Sequence, residues 1–97
     1  MAEEKITHPL LSAFKERMRI FHDGEDGNLS LMLESSCDAV ERLIGDGNFY
    51  HPQVRELVLE RARYVYNDQV EFFYENFKGD ILGMSLDGID VEDTDED

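Results

Sequence analysis

The twelve residues from Asp23 to Glu34 are spaced like a calcium-binding loop between two helices. Such a loop needs oxygen ligands at its first, third and fifth positions, a glycine at the sixth for the sharp turn, and a closing glutamate. Asp23, Glu25 and Glu34 meet the first, third and last of these requirements. Gly27 falls at the fifth position and Asn28 at the sixth, so one ligand and the turn are both wrong. Calcium binding is not expected. His8, His22 and His51 lie near helix ends, without the HxxxH or HExxH spacing that gathers imidazoles on one metal. They read as solvated histidines. Cys37 is the single cysteine, which excludes an intrachain disulfide and fits a reducing cytoplasm. On the apolar side of a helix it reads as a small buried hydrophobe rather than a reactive thiol.

No GxSxG, P-loop or dinucleotide glycine pattern occurs. Carboxylates are abundant, but an acid/base pair requires a cleft, not abundance. Tyr64, Tyr66, Phe72, Phe73, Tyr74 and Phe77 offer faces for base stacking. With no base among them, packing is the better account. The expectation is a protein that is not an enzyme and holds no metal or cofactor.

The elements follow from apolar spacing. Helix one starts from Thr7 as N-cap with Pro9 in its first turn, buries Leu10, Leu11, Phe14, Met18 and Phe21, and ends at His22-Asp23-Gly24. Helix two gathers Leu29, Leu33, Ser36, Cys37, Val40, Leu43 and Ile44 in one sector, with Asp38 and Arg42 as an i,i+4 pair outside. Gly45 is its C-terminal stop. Pro52 opens helix three, which runs to Lys78-Gly79.

Helix three carries two apolar stripes. Val54, Val58, Ala62, Val65 and Phe72 form one, interrupted by Gln69; Leu59, Tyr66, Val70, Phe73 and Phe77 form the other. A helix about 40 Å long cannot be surrounded by so short a chain, so the second stripe calls for a partner. Charge is divided along the same helix: Arg55, Arg61 and Arg63 lie in its first half, Glu71 and Glu75 in its second. Head-to-tail subunits would bring these halves together; solvated charges with no partner account for the pattern equally well.

Beyond Gly79, the residues Ile81, Leu82, Met84, Leu86, Ile89 and Val91 lie in an extended-looking arm broken by Gly83 and Gly88. Such an arm can add to a neighbour's surface. The expected fold is therefore all-α: three helices, the last one long, then an extended C-terminal arm and an acidic tail. The boundary falls between a helical unit over 1–80 and the arm and tail over 81–97.

The chain has 97 residues and a net charge of −14. Seven acids and no base fall in the last eleven residues, leaving −7 for residues 1–86. Both parts repel phosphates, which disfavours ordinary nucleic-acid binding. The tail reads as a solvated terminus. No stretch approaches the ~20 apolar residues of a membrane span, and the first residues lack the pattern of a secretion signal.

The order and spacing of these features resemble the small all-helical head–tail connector (adaptor) proteins of tailed bacteriophages. Met18-Arg19-Ile20 is similar to that family's Leu-Arg-Ile ending of the first helix. Asp23, Glu25 and Asp26 stand where it has an acidic loop before a leucine-led helix, here Leu29. Ala39 to Gly45 resembles its glycine-terminated second helix, and Pro52 opens the last long one. Arg61 to Asp68 resembles the tyrosine-bearing middle of members from phages of Gram-positive hosts. The residues after Asp87 match nothing in that pattern.

The resemblance implies a virion protein made in the host bacterial cytoplasm. It implies a ring of twelve copies beneath the portal, extending the DNA channel and presenting a platform to stopper or tail-completion proteins. DNA would pass through without specific binding, past an acidic lining. The second stripe of helix three, with Arg55, Arg61, Arg63, Glu71 and Glu75, would then be the subunit interface. The arm would grip the portal or a neighbour. A competing reading is a small acidic DNA mimic or inhibitor that binds a basic nucleic-acid-handling protein; the charge favours it and the second apolar stripe does not.

Overall fold

The computed structural model describes residues 8–93, with side chains described through residue 86. Five helices follow one another: α1 (Leu11–Met18), α2 (Asp26–Ile44), α3 (Pro52–Tyr66), α4 (Val70–Asn76) and α5 (Lys78–Asp93). No strand occurs among the described residues. The all-α expectation is met; the three-helix plan with an extended arm is not. Helix three is two helices, and the arm is the helix α5. Thr7 and the last four residues lie outside the described residues.

Two residues with left-handed backbone explain most of the difference. Arg19 and Asp68 both have φ of 60°. After α1, the Arg19 N–H bonds to Glu16 O and the Ile20 N–H to Lys15 O. After α3, the Asp68 N–H bonds to Val65 O and the Gln69 N–H to Tyr64 O. Each is the paired bonding of a Schellman stop, which satisfies the last carbonyls of a helix. Glycine is the usual residue at such a position, so neither stop was visible as a glycine.

The stops also change which side chain faces inward. Ile20 is buried and Phe21 stands 85% exposed, reversing the expectation that Phe21 belongs to the core. In the same way Phe73 is 0% exposed and Phe72 is 52% exposed. An uninterrupted helix would have put Phe72 on the stripe of Val58 and Ala62. The turn at 67–69 resets the phase, and Phe73 takes the inward place.

α2 and α3 form the centre. Leu29, Leu33, Ser36 and Val40 on α2 are buried, as are Val54, Leu57, Val58, Leu59 and Ala62 on α3. Leu10, Leu11 and Phe14 from the first segment and Phe73 from α4 complete the same cluster. α5 packs against α2 and α4. Gly45 ends α2 with φ of 77°, its N–H bonded to Glu41 O, as its sequence position predicts. Pro52 starts α3, where its missing N–H is no loss.

Phe73→Ala should lower unfolding free energy by about 3–5 kcal/mol, because it empties a closed aromatic site. Phe72→Ala should stay within about 0.5 kcal/mol, as exposed positions do. Urea denaturation of both variants separates the two phases of α4. Arg19→Gly removes a left-handed side-chain penalty and should raise stability by about 1 kcal/mol, read as a higher melting temperature.

Candidate functional site

Most of the described basic side chains have partners inside the protomer. Arg61 Nη1 donates to Ser36 Oγ at 3.1 Å, and its Nε donates to the Tyr74 hydroxyl at 3.1 Å. One guanidinium thus joins α2, α3 and α4. Ser36 is wholly buried, so this bond satisfies a hydroxyl that water does not reach. Arg63 pairs with Glu60 at 2.6 Å on its own helix. Arg17 reaches from α1 to both Glu56 (2.9 Å) and Glu60 (2.7 Å), holding α1 against α3. The Arg17 hydrogen bond holds the Glu56 carboxyl below its ordinary range. Arg55, Glu71 and Glu75 are exposed. Of the five charged residues expected at a subunit interface, Arg61 and Arg63 therefore have partners within the chain.

The loop after α1 is closed by Lys15, whose Nζ lies 3.1 Å from Asp23 and 2.7 Å from Asp26. Asp26 begins α2, so residues 26–34 are helix and no calcium-type loop exists there. Among the described residues, no group of three His, Cys, Asp or Glu side chains is arranged to hold a metal. Asp38 and Arg42 pair at 3.1 Å on the wet side of α2, as their spacing predicts.

The apolar candidates divide into three groups. Leu59 and Phe73, expected on a face covered by a neighbour, are sealed in the protomer's own core. The fold-back of α4 brings Phe73 there, and Leu59 joins the cluster that α1, α2 and α3 share. Tyr66, Val70 and Phe77 are half-buried. Tyr66 meets Phe14 edge-on, while Phe77 stacks on Phe73 with centroids 5.0 Å apart. Tyr64 meets both Phe73 and Phe77 edge-on, and its hydroxyl accepts a 2.9 Å bond from Asn76. These contacts are aromatic packing.

The third group is the arm. As helix α5 it turns Ile81 and Met84 onto the core cluster. Leu82 and Leu86 face outward, 57% and 50% exposed. Ile89 and Val91 lie in α5, but their side chains are outside those described. Beside Leu82 runs an open groove of about 530 Å³ between the C-terminal end of α2 and the α4–α5 junction. Leu43, Tyr74, Ile81 and Leu82 form its apolar lining, and Glu75 and Lys78 its charged one. This groove is the best candidate site in the fold. Sequence reasoning put partner-seeking surfaces on the second stripe of helix three and on the arm; the groove adjoins the arm, at Ile81 and Leu82.

His8 differs from the solvated ring expected of it. Its Nδ1 accepts the Leu10 N–H at 3.0 Å, and the His8 backbone N–H donates to Ser30 Oγ at 3.1 Å. Its Nε2 lies 3.5 Å from Cys37 Sγ, and Phe49 lies against the ring. Burial holds the imidazole below its ordinary value of 6.5, against an opposing pull from Glu34. Cys37 is half-buried, and burial, with Glu34 and Glu41, pushes its thiol up to about 11. A thiol held protonated is a poor nucleophile.

No family model matches the chain, and neither a curated protein nor a solved structure matches it. Among the described residues, no helix is long and apolar enough to cross a membrane.

A neutral His8 is required by the bond it accepts, so the folded state binds fewer protons here than the unfolded one. Its contribution to stability is complete above pH 6.5 and declines as pH falls through that value toward the lower folded one. Denaturation midpoints between pH 7 and 5 should fall, and His8→Asn, which keeps an acceptor for Leu10, should flatten that slope. A slope unchanged by the substitution would mean that His8 does not titrate as its contacts require.

Proposed function

We propose that this chain is a non-enzymatic virion structural protein, a head–tail connector of a tailed bacteriophage. In this reading twelve copies form a ring beneath the portal, extend the DNA channel, and offer a platform to stopper or tail-completion proteins. The protein is made in the host bacterial cytoplasm and ends in the virion. DNA passes through the ring without specific binding, because an acidic surface repels phosphates.

The observation that carries the reading is the apolar surface left over once the protomer has closed its own core. Leu82 and Leu86 remain outside, with the Leu43–Tyr74 groove alongside. Exposed leucines beside an apolar groove are where contact with another protein would begin. The resemblance in helix order and spacing supplies the family. The interface is now assigned to the outer side of α5 with exposed Glu71 and Glu75, and away from Leu59 and Phe73. α5 keeps the role given to the arm, contact with the portal or a neighbouring copy, as a helix rather than a strand.

Sizing with light scattering tests this on the whole protein, alone and mixed with a purified portal ring. Wild type should travel with the portal, and a folded Leu82→Asp/Leu86→Asp variant should not. A wild-type chain that stays free of the portal, or a variant that still travels with it, counts against the connector. A one-to-one complex with a basic nuclease or polymerase would favour the inhibitor reading instead.

A further inference from the structure

We infer that the Asp23–Gly24 step is a site of self-modification, where the Asp23 carboxyl closes onto the Gly24 nitrogen and reopens as isoaspartate. His22 is the base for the closure. The chain supplies every group and water is the co-reactant, so the inference stands apart from the connector reading.

The sequence holds four Asp–Gly steps, beginning at Asp23, Asp26, Asp46 and Asp87. A glycine nitrogen is the least hindered main-chain nucleophile, because no Cβ stands against the closing ring. The fold treats the four steps differently. Asp26–Gly27 and Asp87–Gly88 lie within α2 and α5, where helical dihedrals hold the amide away from the side chain before it. At Asp46–Gly47 both carboxylate oxygens are engaged. Oδ1 accepts the Asn48 N–H at 2.9 Å, and Oδ2 lies 3.1 Å from His51 Nδ1. The Asn48 N–H holds that carboxyl below its ordinary range, in the ionised form that resists attack.

Asp23 and Gly24 lie in the exposed turn between α1 and α2. The Asp23 side chain is 89% exposed and pairs at 3.1 Å with Lys15, which also holds Asp26 at 2.7 Å. An exposed pair of this kind is weak, so the carboxyl turns without stranding a buried charge. The Gly24 N–H donates to His22 Nδ1 at 3.2 Å. That bond sets a base on the hydrogen the closure must remove. An amide N–H becomes acidic only as its nitrogen bonds to carbon, which is when a positioned base accelerates the step. Across the ring, Glu25 Oε2 lies 3.8 Å from His22 Nε2, and the Tyr66 hydroxyl lies 3.5 Å from the same oxygen. A carboxylate there favours the imidazolium that forms. His8 holds the Leu10 N–H in the same way, but Pro9 between them offers no carboxyl.

The reaction balances as the loss and return of one water. The Gly24 nitrogen bonds to Cγ of the protonated Asp23 carboxyl, and the bond from Cγ to its hydroxyl breaks. The amide hydrogen passes to His22 Nδ1 and on to the departing hydroxyl, which leaves as water. Water then opens the imide at either carbonyl. Breaking the bond to Cγ restores aspartate; breaking the bond to the Asp23 main-chain carbonyl gives isoaspartate. The second product lengthens the main chain by one carbon in the turn that Lys15 closes.

The test incubates the full chain at neutral pH in oxygen-18 water, folded and in urea, then maps its peptides by mass spectrometry. The folded chain should gain label and isoaspartate at Asp23 at least about tenfold faster than at Asp46. In urea the two positions should react at similar rates, since each precedes a glycine. His22→Asn keeps an acceptor for the Gly24 N–H without an imidazole's basicity. It should slow Asp23 about tenfold in the folded chain and leave the rate in urea unchanged. Circular dichroism checks that this exposed substitution keeps the helices.

Label entering Asp23 no faster than Asp46 in the folded chain would overturn the inference. So would a folded rate untouched by His22→Asn, which would make exposure the whole cause. Equal slowing of Asp23 in urea would reduce His22 to an effect of sequence and remove the role given to the fold.

Discussion

The turn at Asn67–Gln69 is the constraint on which the rest of the fold depends. A straight helix from Pro52 to Asn76 would run beyond the core and leave two apolar stripes needing cover. Placing Asp68 in the left-handed region ends α3 and redirects the chain. That redirection brings Phe73 into the centre with Phe14, Leu33 and Val58. Aspartate accepts this conformation more readily than most residues, and a paired stop satisfies the carbonyls it frees. The redirection also sets the direction of α4 and α5, and with it the groove beside Leu43.

Much of this is legible in the sequence, and the parts that are not have two causes. Gly45 and Pro52 announce the end of α2 and the start of α3 because each residue type has one dominant backbone use. The core sectors of α2 and of α3 up to Ala62 follow from helical spacing alone. The misreadings begin at Arg19 and Asp68. There, ordinary side chains occupy conformations that their types do not advertise, and the residues that directly follow change phase. Phe21 for Ile20 and Phe72 for Phe73 are the same error made twice. The arm was misread for a different reason. Gly83 and Gly88 lower helix propensity, but packing of Ile81 and Met84 against the core outweighs a weak local preference.

The candidate surface was less legible than the fold. Counting apolar residues correctly gives more than one protomer core needs, yet it does not say which of them stay outside. Leu59 lies off the main stripe, which points it outward in a three-helix plan, yet it belongs to the core cluster with Leu10, Phe14 and Leu29. Arg61 was assigned to a neighbour because it is charged. Its partners, Ser36 and Tyr74, lie 25 and 13 residues away in sequence, beyond any local pattern. The acids, by contrast, are used sparingly in structure. A few close ion pairs fix α1 and its loop, and most of the remaining carboxylates among the described residues are exposed, where they add to the chain's long-range field.

The aromatic cluster across the bend has a practical consequence. The chain contains no tryptophan and four tyrosines. Tyr64, Tyr66 and Tyr74 all adjoin the α3–α4 corner, each against another ring. The asymmetric packing of those phenols should dominate the near-ultraviolet dichroism. The molecule thus carries its own optical gauge of whether that corner is formed, readable without a label during unfolding or association.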